Sequence, residues 1–427
     1  MLWRIIFCLS TLCVTANLSW ATDWPSFRGA VIATERGRAQ GNEYPREWSP
    51  EENMAWRHSL PGPGNSSPVV SNHKVYVTYS DQQNGMRRNL ICLDLESGKK
   101  LWSKSVLHEA EEPTHKTNPH CGSSPASNGE RVVVWHGSAG VYCYSSDGEE
   151  LWKYETGPIH HIWGTGSSPI IYEDKVFLNI GPGENSHLLV LSLQTGDLLW
   201  KAEEPGGNFG EDPNGKKLDW IGSWSTPQIA MIAGSPQVVC AMPTRIVGYA
   251  PDSGKLLWWC EGLENLPRSN LVYTDPLLTD TFAVTLGGFK GPGIGFTLGE
   301  MGDITDSSRA WRVTRDNPQR IGTGIIMGKH VYAPTAGING LQCLDLKTGE
   351  ILWTERTPAP FWGSMVLADE LIYVTDQQGA TWVFRSNPEK FDLIAKNSLK
   401  ERTNSTPAFT DDSIILRTYN AVYRVSK

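Results

Sequence analysis

The sequence predicts an all-β fold: an eight-bladed β-propeller of four-stranded antiparallel blades, closed by N- and C-terminal strands that share the last blade. Two repeated patterns support this prediction. Strand-like segments ending in Trp recur at intervals of 42 to 58 residues, and a Ser-Ser-Pro-like segment lies between them. Units of about 40 to 50 residues with four short strands are typical of propeller blades. The Trp residues are Trp56, Trp102, Trp152, Trp200, Trp258, Trp311 and Trp353, and the second segment begins at Ser66, Ser123, Ser167, Ser225, Thr274, Gly322, Gly363 and Ser405.

The first complete unit shows how the four strands are assigned. The segment from Ser66 opens the first strand, and the β-branched run 75–77 predicts the second. Residues 90–95 predict the third strand, and a turn with positive φ at Gly98 leads into the strand that holds Trp102. Equivalent glycines are Gly196, Gly254 and Gly349. We interpret the recurrent Trp as packing between neighbouring blades rather than as a ligand platform.

The two ends of the repeat predict how the ring closes. The last unit, from Ser405, has no Trp strand of its own, whereas the Trp strand 53–58 precedes the first Ser-Ser-Pro segment. The N-terminal strand should therefore complete the last blade, which removes free sheet edges. Seven blades is the alternative, because the unit around Trp311 departs from the repeat. No segment has a sustained 3.6-residue apolar period, so we expect no long helix.

The N-terminus reads as a secretory signal peptide. The apolar run 5–14 follows Arg4, and small residues precede a predicted cleavage after Ala21. The alternative is an uncleaved membrane anchor. We therefore expect a signal peptide at 1–21, an N-terminal arm at 22–52 and the propeller at 53–427, in a periplasmic or secreted protein with no membrane span in the mature chain.

Charge and cysteine content argue against some functions and indicate the state of the thiols. The 38 Lys and Arg residues against 46 Asp and Glu give a net charge of -8, which argues against a nucleic-acid partner. Six cysteines follow the signal peptide, and none is adjacent to another or in a Cys-x-x-Cys motif. Cys92, Cys143 and Cys343 lie in apolar strand-like runs, which favours buried free thiols.

The unit ending CLDLESGKKLW at Trp102, repeated as CLDLKTGEILW at Trp353, resembles the pyrroloquinoline-quinone-like (PQQ-like) repeat. That repeat builds eight-bladed propellers in quinoprotein alcohol dehydrogenases and in the propeller subunit of the bacterial outer-membrane assembly machine. The resemblance covers about residues 48–427. The opening Trp-Pro-Ser-Phe-Arg-Gly at 24–29 also resembles a secreted branch of this superfamily, common in planctomycete-type bacteria.

The resemblance implies specific requirements for an enzyme. In the dehydrogenases a disulfide between adjacent cysteines covers the quinone, and a carboxylate, an amide and a catalytic Asp hold calcium. This sequence has no adjacent cysteine pair and gathers no recognisable ligand set. We therefore expect neither PQQ nor calcium, and assign no catalytic residue.

Three functions remain open at this point. The leading interpretation is an exported, non-catalytic binding or scaffolding protein, with a protein partner or a small anionic or carbohydrate ligand. The first alternative is a PQQ-dependent oxidoreductase. The second is an outer-membrane protein assembly factor, although neither Cys8 nor Cys13 resembles a lipidation site, because Phe7 and Leu12 precede them.

A candidate site lies at the mouth of the channel, where loops precede the first strands. Equivalent positions in successive blades approach one another there, so we expect eight side chains to share one cavity, with the cations attracting an anionic ligand. They are His120, His161, Trp163, Trp220, Arg268, Arg320, Trp362 and Arg402. The alternatives are polar groups that satisfy one another around water, or a metal site built from members of His115, His120, Cys121, His160 and His161.

Overall fold

The computed structural model describes residues 23–41, 43–81, 85–183, 186–204, 221–265, 270–314 and 317–427, and these form eight four-stranded antiparallel blades around a channel. The predicted fold and blade count are confirmed. The predicted signal peptide, Trp220 and Arg268 lie outside the described residues.

Strands are given from the channel outwards for the first four blades. Blade 1 holds β2 (Val69–Ser71), β3 (Lys74–Ser80), β4 (Arg87–Asp94) and β5 (Lys100–Leu107). Blade 2 holds β6 (Ala126–Ser127), β7 (Arg131–Trp135), β8 (Val141–Ser145) and β9 (Glu150–Tyr154). Blade 3 holds β10 (Ile170–Tyr172), β11 (Lys175–Ile180), β12 (His187–Ser192) and β13 (Leu198–Glu203). Blade 4 holds β15 (Gln228–Ile232), β16 (Ser235–Ala241), β17 (Arg245–Tyr249) and β18 (Leu256–Glu261), with β23 (Gly302–Asp303) added in parallel.

The remaining blades follow the same order. Blade 5 holds β20 (Leu277–Leu278), β21 (Phe282–Leu286), β22 (Gly293–Thr297) and β24 (Arg309–Val313). Blade 6 holds β25 (Ile325–Met327), β26 (His330–Thr335), β27 (Gly340–Asp345) and β28 (Ile351–Arg356). Blade 7 holds β29 (Val366–Ala368), β30 (Leu371–Thr375), β31 (Ala380–Arg385) and β32 (Asp392–Ser398). Blade 8 holds β33 (Ala408–Phe409), β34 (Ser413–Arg417), β35 (Ala421–Ser426) and β1 (Met54–Ser59).

Few elements lie outside the blades. Strands β14 (Ile221–Ser223) and β19 (Asn270–Val272) pair in parallel near the channel. The helices of the described residues are α1 (Thr305–Ser308) and a 3-10 turn at Gly137–Ala139. None of these is long and apolar enough to cross a membrane.

Blade 8 joins the two ends of the propeller. Its outer strand β1 pairs antiparallel with β35, from Met54 opposite Val425 to Ser59 opposite Ala421. The prediction that an N-terminal strand completes the last blade is confirmed. Strands from both ends of the propeller thus share one sheet, and β35 is not left as an unpaired edge.

A closed cycle of hydrogen bonds joins the blades at the channel. In each blade one residue of the Ser-Ser-Pro-like segment donates its backbone N–H to the side-chain oxygen of its equivalent in the next blade, at 2.7–3.2 Å. The cycle closes because Thr406 N–H donates to Ser67 Oγ. The residues of this ring, called the inner ring below, are Ser67, Ser124, Ser168, Thr226, Asp275, Thr323, Ser364 and Thr406.

The recurrent Trp residues dock six of the eight blades onto the next. Trp152 of blade 2 donates its Nε1–H to the Leu193 carbonyl of blade 3 at 2.9 Å. Its ring lies against the tight turn at Gly196, where φ is +77° and an added Cβ would come within 2.6 Å of the indole. The same indole bond links Trp56 to Leu95, Trp102 to Ser146, Trp200 to Pro251, Trp311 to Leu346 and Trp353 to Asn387. The interpretation of these Trp residues as inter-blade packing is therefore confirmed.

Trp258 departs from this pattern for a local reason. Its Nε1–H donates to Gln237 within its own blade at 2.7 Å. Blade 5 replaces the tight turn between its third and fourth strands with a longer connection that contains β23 and α1. Trp258 thus has no carbonyl at that turn to bind, although it stays 1% exposed.

The N-terminal arm crosses the channel. It bridges the inner strands of blades 1, 4 and 7, which lie on different sides of the ring: Trp24 beside Val70, Ile32 beside Ile229 and Arg38 beside Leu367. Arg28 is 1% exposed and donates through Nη2 to the carbonyls of Gly324 and Met365. The arm therefore closes one end of the channel.

The cysteines contribute to packing. All six described cysteines are buried and free, as predicted for Cys92, Cys143 and Cys343. Burial raises the pKa of the Cys121 thiol to about 11 and that of Cys343 to about 11. These thiols are therefore protonated at neutral pH and poorly reactive.

Two glycine variants test the docking contact. Gly196 and Gly234 share a φ of +77°, but nothing lies within 4 Å of a Cβ added at Gly234. Ala at either position incurs the backbone strain of about 1–2 kcal/mol. Gly196→Ala also overlaps the Trp152 ring, so we expect it to lower the free energy of unfolding by about 1–3 kcal/mol more than Gly234→Ala. Chemical denaturation measures both, and equal losses would contradict the docking role.

Arg28→Met tests the role of the arm. The substitution leaves the carbonyls of Gly324 and Met365 without a donor in a buried site. We expect the free energy of unfolding to fall by about 1–3 kcal/mol. The control is Arg402→Met on the exposed surface, which should change it by less than about 0.5 kcal/mol. An unchanged stability of Arg28→Met would show that the arm does not hold the inner strands.

Candidate functional site

A cavity of about 360 Å³ lies in the channel, bordered by the inner ring and by aromatic side chains. Six aromatic residues border it: Phe27, Trp163, Trp224, Tyr273, Phe289 and Trp362. Pockets of about 300–1,000 Å³ with mainly apolar walls and a few polar groups are typical small-molecule sites. This cavity is therefore the candidate functional site.

The aromatic wall comes from loops that lead into the first strands. Trp224 is held by a bond from its Nε1–H to the Gly164 carbonyl at 2.9 Å. Its ring makes edge contacts with His161 and Tyr273, each at 5.1 Å between centroids. Phe289 belongs to the hairpin loop of blade 5 and is 36% exposed. The wall is thus built from several blades, and its residues brace one another.

A chain of amide side chains forms another part of the wall. Asn404 Nδ2 donates to Asn65 Oδ1 at 3.3 Å, and Asn65 Nδ2 donates to Asn118 Oδ1 at 2.9 Å. Asn118 Nδ2 in turn donates to the carbonyls of Trp163 and Thr165. These amides satisfy one another, so they fix the wall rather than offer free groups.

Asp275 is the acidic member of the inner ring, where the other seven residues are Ser or Thr. Its Oδ1 accepts the Thr226 N–H at 2.7 Å, whereas its buried Oδ2 has no hydrogen-bond partner. Arg36 Nε lies 3.7 Å from that oxygen. Burial raises the pKa of Asp275, and the charges of Arg36 and Arg28 act against this rise. Asp275 borders the cavity, and Phe27 of the arm lies beside it in the lining.

The structure brings only some of the predicted site residues to this cavity. Trp163 and Trp362 line it. His161 is buried behind the wall, where its Nδ1 accepts the Trp163 N–H at 3.2 Å and its ring contacts Trp224. Burial lowers the pKa of His161 to about 4, so this imidazole is neutral at physiological pH.

The expected cluster of cations does not form among the described residues. Arg320 is fully buried, donates to Gln342 Oε1 at 2.6 Å and lies outside the cavity lining. Gln319 and Ile321 line the cavity instead, because successive side chains of an extended segment point to opposite sides. Burial lowers the pKa of Arg320 to about 9. Arg402 is exposed, with its guanidinium carbon 5.9 Å from the Tyr419 ring.

His120 belongs to a different cavity. It lines a cleft of about 950 Å³ beside blades 1 and 8, under the loop 108–120. Its Nδ1 lies 3.7 Å from Glu112 Oε1, and Glu112 Oε2 pairs with Arg88 Nη1 at 3.1 Å. Burial would raise the pKa of Glu112, but the bond to His120 and the charge of Arg88 outweigh it and lower the pKa to about 2.

The histidine-rich loops do not converge as a metal site would require. His115 packs on Trp163 at 4.5 Å between ring centroids, His160 is exposed, and Cys121 is buried. Within the described part of the chain no group of three or more His, Cys, Asp or Glu residues is placed to hold a metal ion. The alternative of a metal site shared between these loops therefore finds no ligand group there.

Sequence reasoning missed Phe27, Tyr273, Phe289 and Asp275. Phe27 lies far from any blade in the sequence, and Phe289 is in a hairpin loop, so no repeat position marked them. Asp275 had a signal: the blade-5 segment reads Thr-Asp-Pro where the others carry Ser or Thr at that position.

Comparisons with known proteins agree with this fold. The family model for the outer membrane protein assembly factor BamB matches residues 86–355 and, again, 295–419, which is more than half of the chain. The chain belongs to the BamB family. No curated protein matches it.

Solved structures resemble this BamB-family chain at low identity. BamB from Moraxella catarrhalis is 13% identical, with a TM-score of 0.58 over 87% of this chain and 99% of that one. A europium-containing methanol dehydrogenase is 12% identical, with a TM-score of 0.65 over 94% of this chain and 90% of that one. The quinohemoprotein alcohol dehydrogenase from Comamonas testosteroni is 13% identical, with a TM-score of 0.64 over 94% and 80%. An assembly factor and two dehydrogenases thus share the fold, which does not distinguish binding from catalysis.

The contacts of Glu112 in this cleft predict that its contribution to the free energy of unfolding depends on pH. A carboxyl group whose pKa is lower in the folded than in the unfolded state stabilises the fold at pH values above its unfolded pKa. This stabilisation is lost as the pH falls through the folded pKa. Relative to wild type, Glu112→Gln should lower the free energy of unfolding by on the order of 3 kcal/mol at pH 7. The difference should shrink between the ordinary pKa of 4.5 and the folded value of about 2. Denaturation at several pH values measures it; the exposed Glu109→Gln is the control, and a pH-independent difference would contradict the assignment.

Proposed function

We propose that this BamB-family protein is a non-catalytic binding propeller located outside the cytoplasm, periplasmic or secreted, that takes a small ligand into its central cavity. The observation that carries the proposal is the blind, aromatic-walled cavity of about 360 Å³. A pocket with one closed end and braced apolar walls is suited to retain a small molecule.

The ligand enters from one face. The aromatic residues Trp224 and Trp362 precede the inner ring in the chain, whereas the arm binds carbonyls that follow the ring, such as Gly324 and Met365. The arm, which contributes Phe27 to the cavity, and the loops that carry Trp224 and Trp362 therefore lie on opposite sides of the ring. This leaves the cavity open on the side of the loops that lead into the first strands.

The residues that line the cavity do not suit the quinone and calcium that the oxidoreductase alternative requires. Pyrroloquinoline quinone is a tricarboxylate, which is held best by Arg or Lys side chains. The described lining has one carboxylate, Asp275, and neither Arg nor Lys. Calcium takes six to eight oxygen ligands, and the amides beside the cavity bind one another instead. These residues do not fit the group, which supports the non-catalytic proposal.

A role in outer-membrane protein assembly is the second candidate. It is favoured by the family model, which is that of an assembly factor, and by the fold shared with BamB from Moraxella catarrhalis. Such a role would use a protein partner rather than a cavity ligand. Co-purification with the assembly machinery supports this candidate, and its absence argues against it.

Binding experiments on the mature chain test the proposal. A small-molecule library is screened by thermal shift and intrinsic fluorescence. We expect hits that raise the melting temperature of the wild type. Trp362→Leu removes part of the apolar wall and should weaken these hits at least about tenfold, the equivalent of about 1.4 kcal/mol. Trp259→Leu on the outer strand of blade 4 is the control and should bind like the wild type.

Two results would overturn the proposal. One is a set of hits that bind equally well to Trp362→Leu, which would place the site elsewhere. The other is stoichiometric uptake of pyrroloquinoline quinone with calcium, accompanied by dye-linked oxidation of alcohols or sugars.

A further inference from the structure

The floor of the central cavity carries a compensated charge. Asp275 is the one charged side chain in the described lining, and it is 2% exposed. Arg36, 1% exposed at its side chain, lies 3.7 Å from its carboxylate. No cation lines the described cavity to pair directly with an anionic ligand, and Asp275 already lies beside Arg36, so an ion of either sign would lose its hydration without a matching contact. The cavity therefore favours an uncharged ligand.

The same floor carries unused hydrogen-bonding capacity. The Asp275 carboxylate borders the cavity, and its Oδ2, buried 3.7 Å from Arg36 Nε, accepts no hydrogen bond. Six hydroxyl-bearing members of the inner ring also line the cavity, and each oxygen accepts a backbone N–H from the preceding blade. Each hydroxyl keeps its own proton to donate. The ring thus offers an acceptor at one position and donors around it.

A ligand hydroxyl satisfies both kinds of group, because it donates one hydrogen bond and accepts others. A carboxylate has no proton for Asp275, and an ammonium group has no lone pair for the ring hydroxyls. Above the ring, Trp163, Trp224 and Trp362 present apolar ring faces and edges. The C–H faces of a saturated ring compound pack well on such aromatic surfaces.

We infer that the cavity binds an uncharged, hydroxylated ring compound, a sugar unit or cyclic polyol, with one ligand hydroxyl donating to the Asp275 carboxylate. This inference rests on the proposed function and names the ligand class of the same cavity. Of the small anionic or carbohydrate ligands expected from the sequence, it selects the carbohydrate, because the described lining contains no cation.

The test compares matched probes on the mature, full-length propeller. Glucose, galactose and myo-inositol are the neutral probes, glucuronate and glucosamine are their anionic and cationic counterparts, and indole is a flat ring without hydroxyls. Calorimetry and saturation-transfer NMR should show binding of a neutral probe that is at least about tenfold tighter than binding of either charged analogue.

Variants of Asp275 then locate the hydroxyl contact. Asp275→Asn replaces the acceptor by a donor and should weaken the neutral probe at least about tenfold. Asp275→Thr restores the residue type of the other ring positions, keeps an acceptor for the Thr226 N–H and should weaken it similarly; it is the second variant if the first is unstable. Asp369→Asn, at a carboxylate that accepts the Tyr44 N–H outside the cavity, is the matched control and should bind normally.

The possible results separate the two proposals. The ligand class is overturned if glucuronate, glucosamine or indole binds more tightly than the neutral probes, or if both Asp275 variants bind a neutral probe as the wild type does. In either case, loss of the observed binding in Trp362→Leu would show that the cavity remains the site. Binding of a neutral sugar that is lost in the Asp275 variants but unaffected by Trp362→Leu would limit the site to the ring and overturn the role of the aromatic wall. Binding unaffected by any of these variants overturns both proposals.

Discussion

Every blade of this propeller is held to the next by the same hydrogen bond, from a backbone N–H at the inner ring to the side-chain oxygen of the following blade. The position requires a short side chain with an oxygen acceptor, which explains why it is filled by Ser, Thr or Asp. Because the bonds form a closed cycle, the ring holds the eight first strands at a common distance around the channel. The outer Trp contacts then set the angle between neighbours, and the cavity is the space that remains inside the ring.

The fold could be predicted because its signals are local and repeated. The weak unit around Trp311 did not alter the blade count, since the neighbouring segments at Thr274 and Gly322 still marked two separate first strands. Trp258 was correctly placed in the core, but its partner depends on the unusual connection in blade 5 and could not be foreseen.

The candidate site was harder to predict, because nearness in sequence to the ring does not fix the direction of a side chain. Arg320 illustrates this: its two neighbours border the cavity while Arg320 itself is buried between blades. His120 lies away from the central cavity for a different reason: Glu112, which follows blade 1 in the sequence, holds it beside another cleft. Contacts of this kind depend on loops that meet only in the folded ring. Asp275 was the exception, because its departure from the repeat is visible in the sequence alone.

The pairing of β1 with β35 has a consequence for the order in which the molecule assembles. All other neighbouring strands within a blade, apart from the β22–β24 and β18–β23 pairs, are consecutive in the chain, so those sheets can form from short, fast-closing loops. Blade 8 instead requires strands from opposite ends of the propeller to meet. Contacts between residues so far apart in the sequence form slowly. Until then β1 has no strand partner, and the growing stack is an open arc. The final closure therefore turns a chain of semi-independent repeats into one cooperative unit.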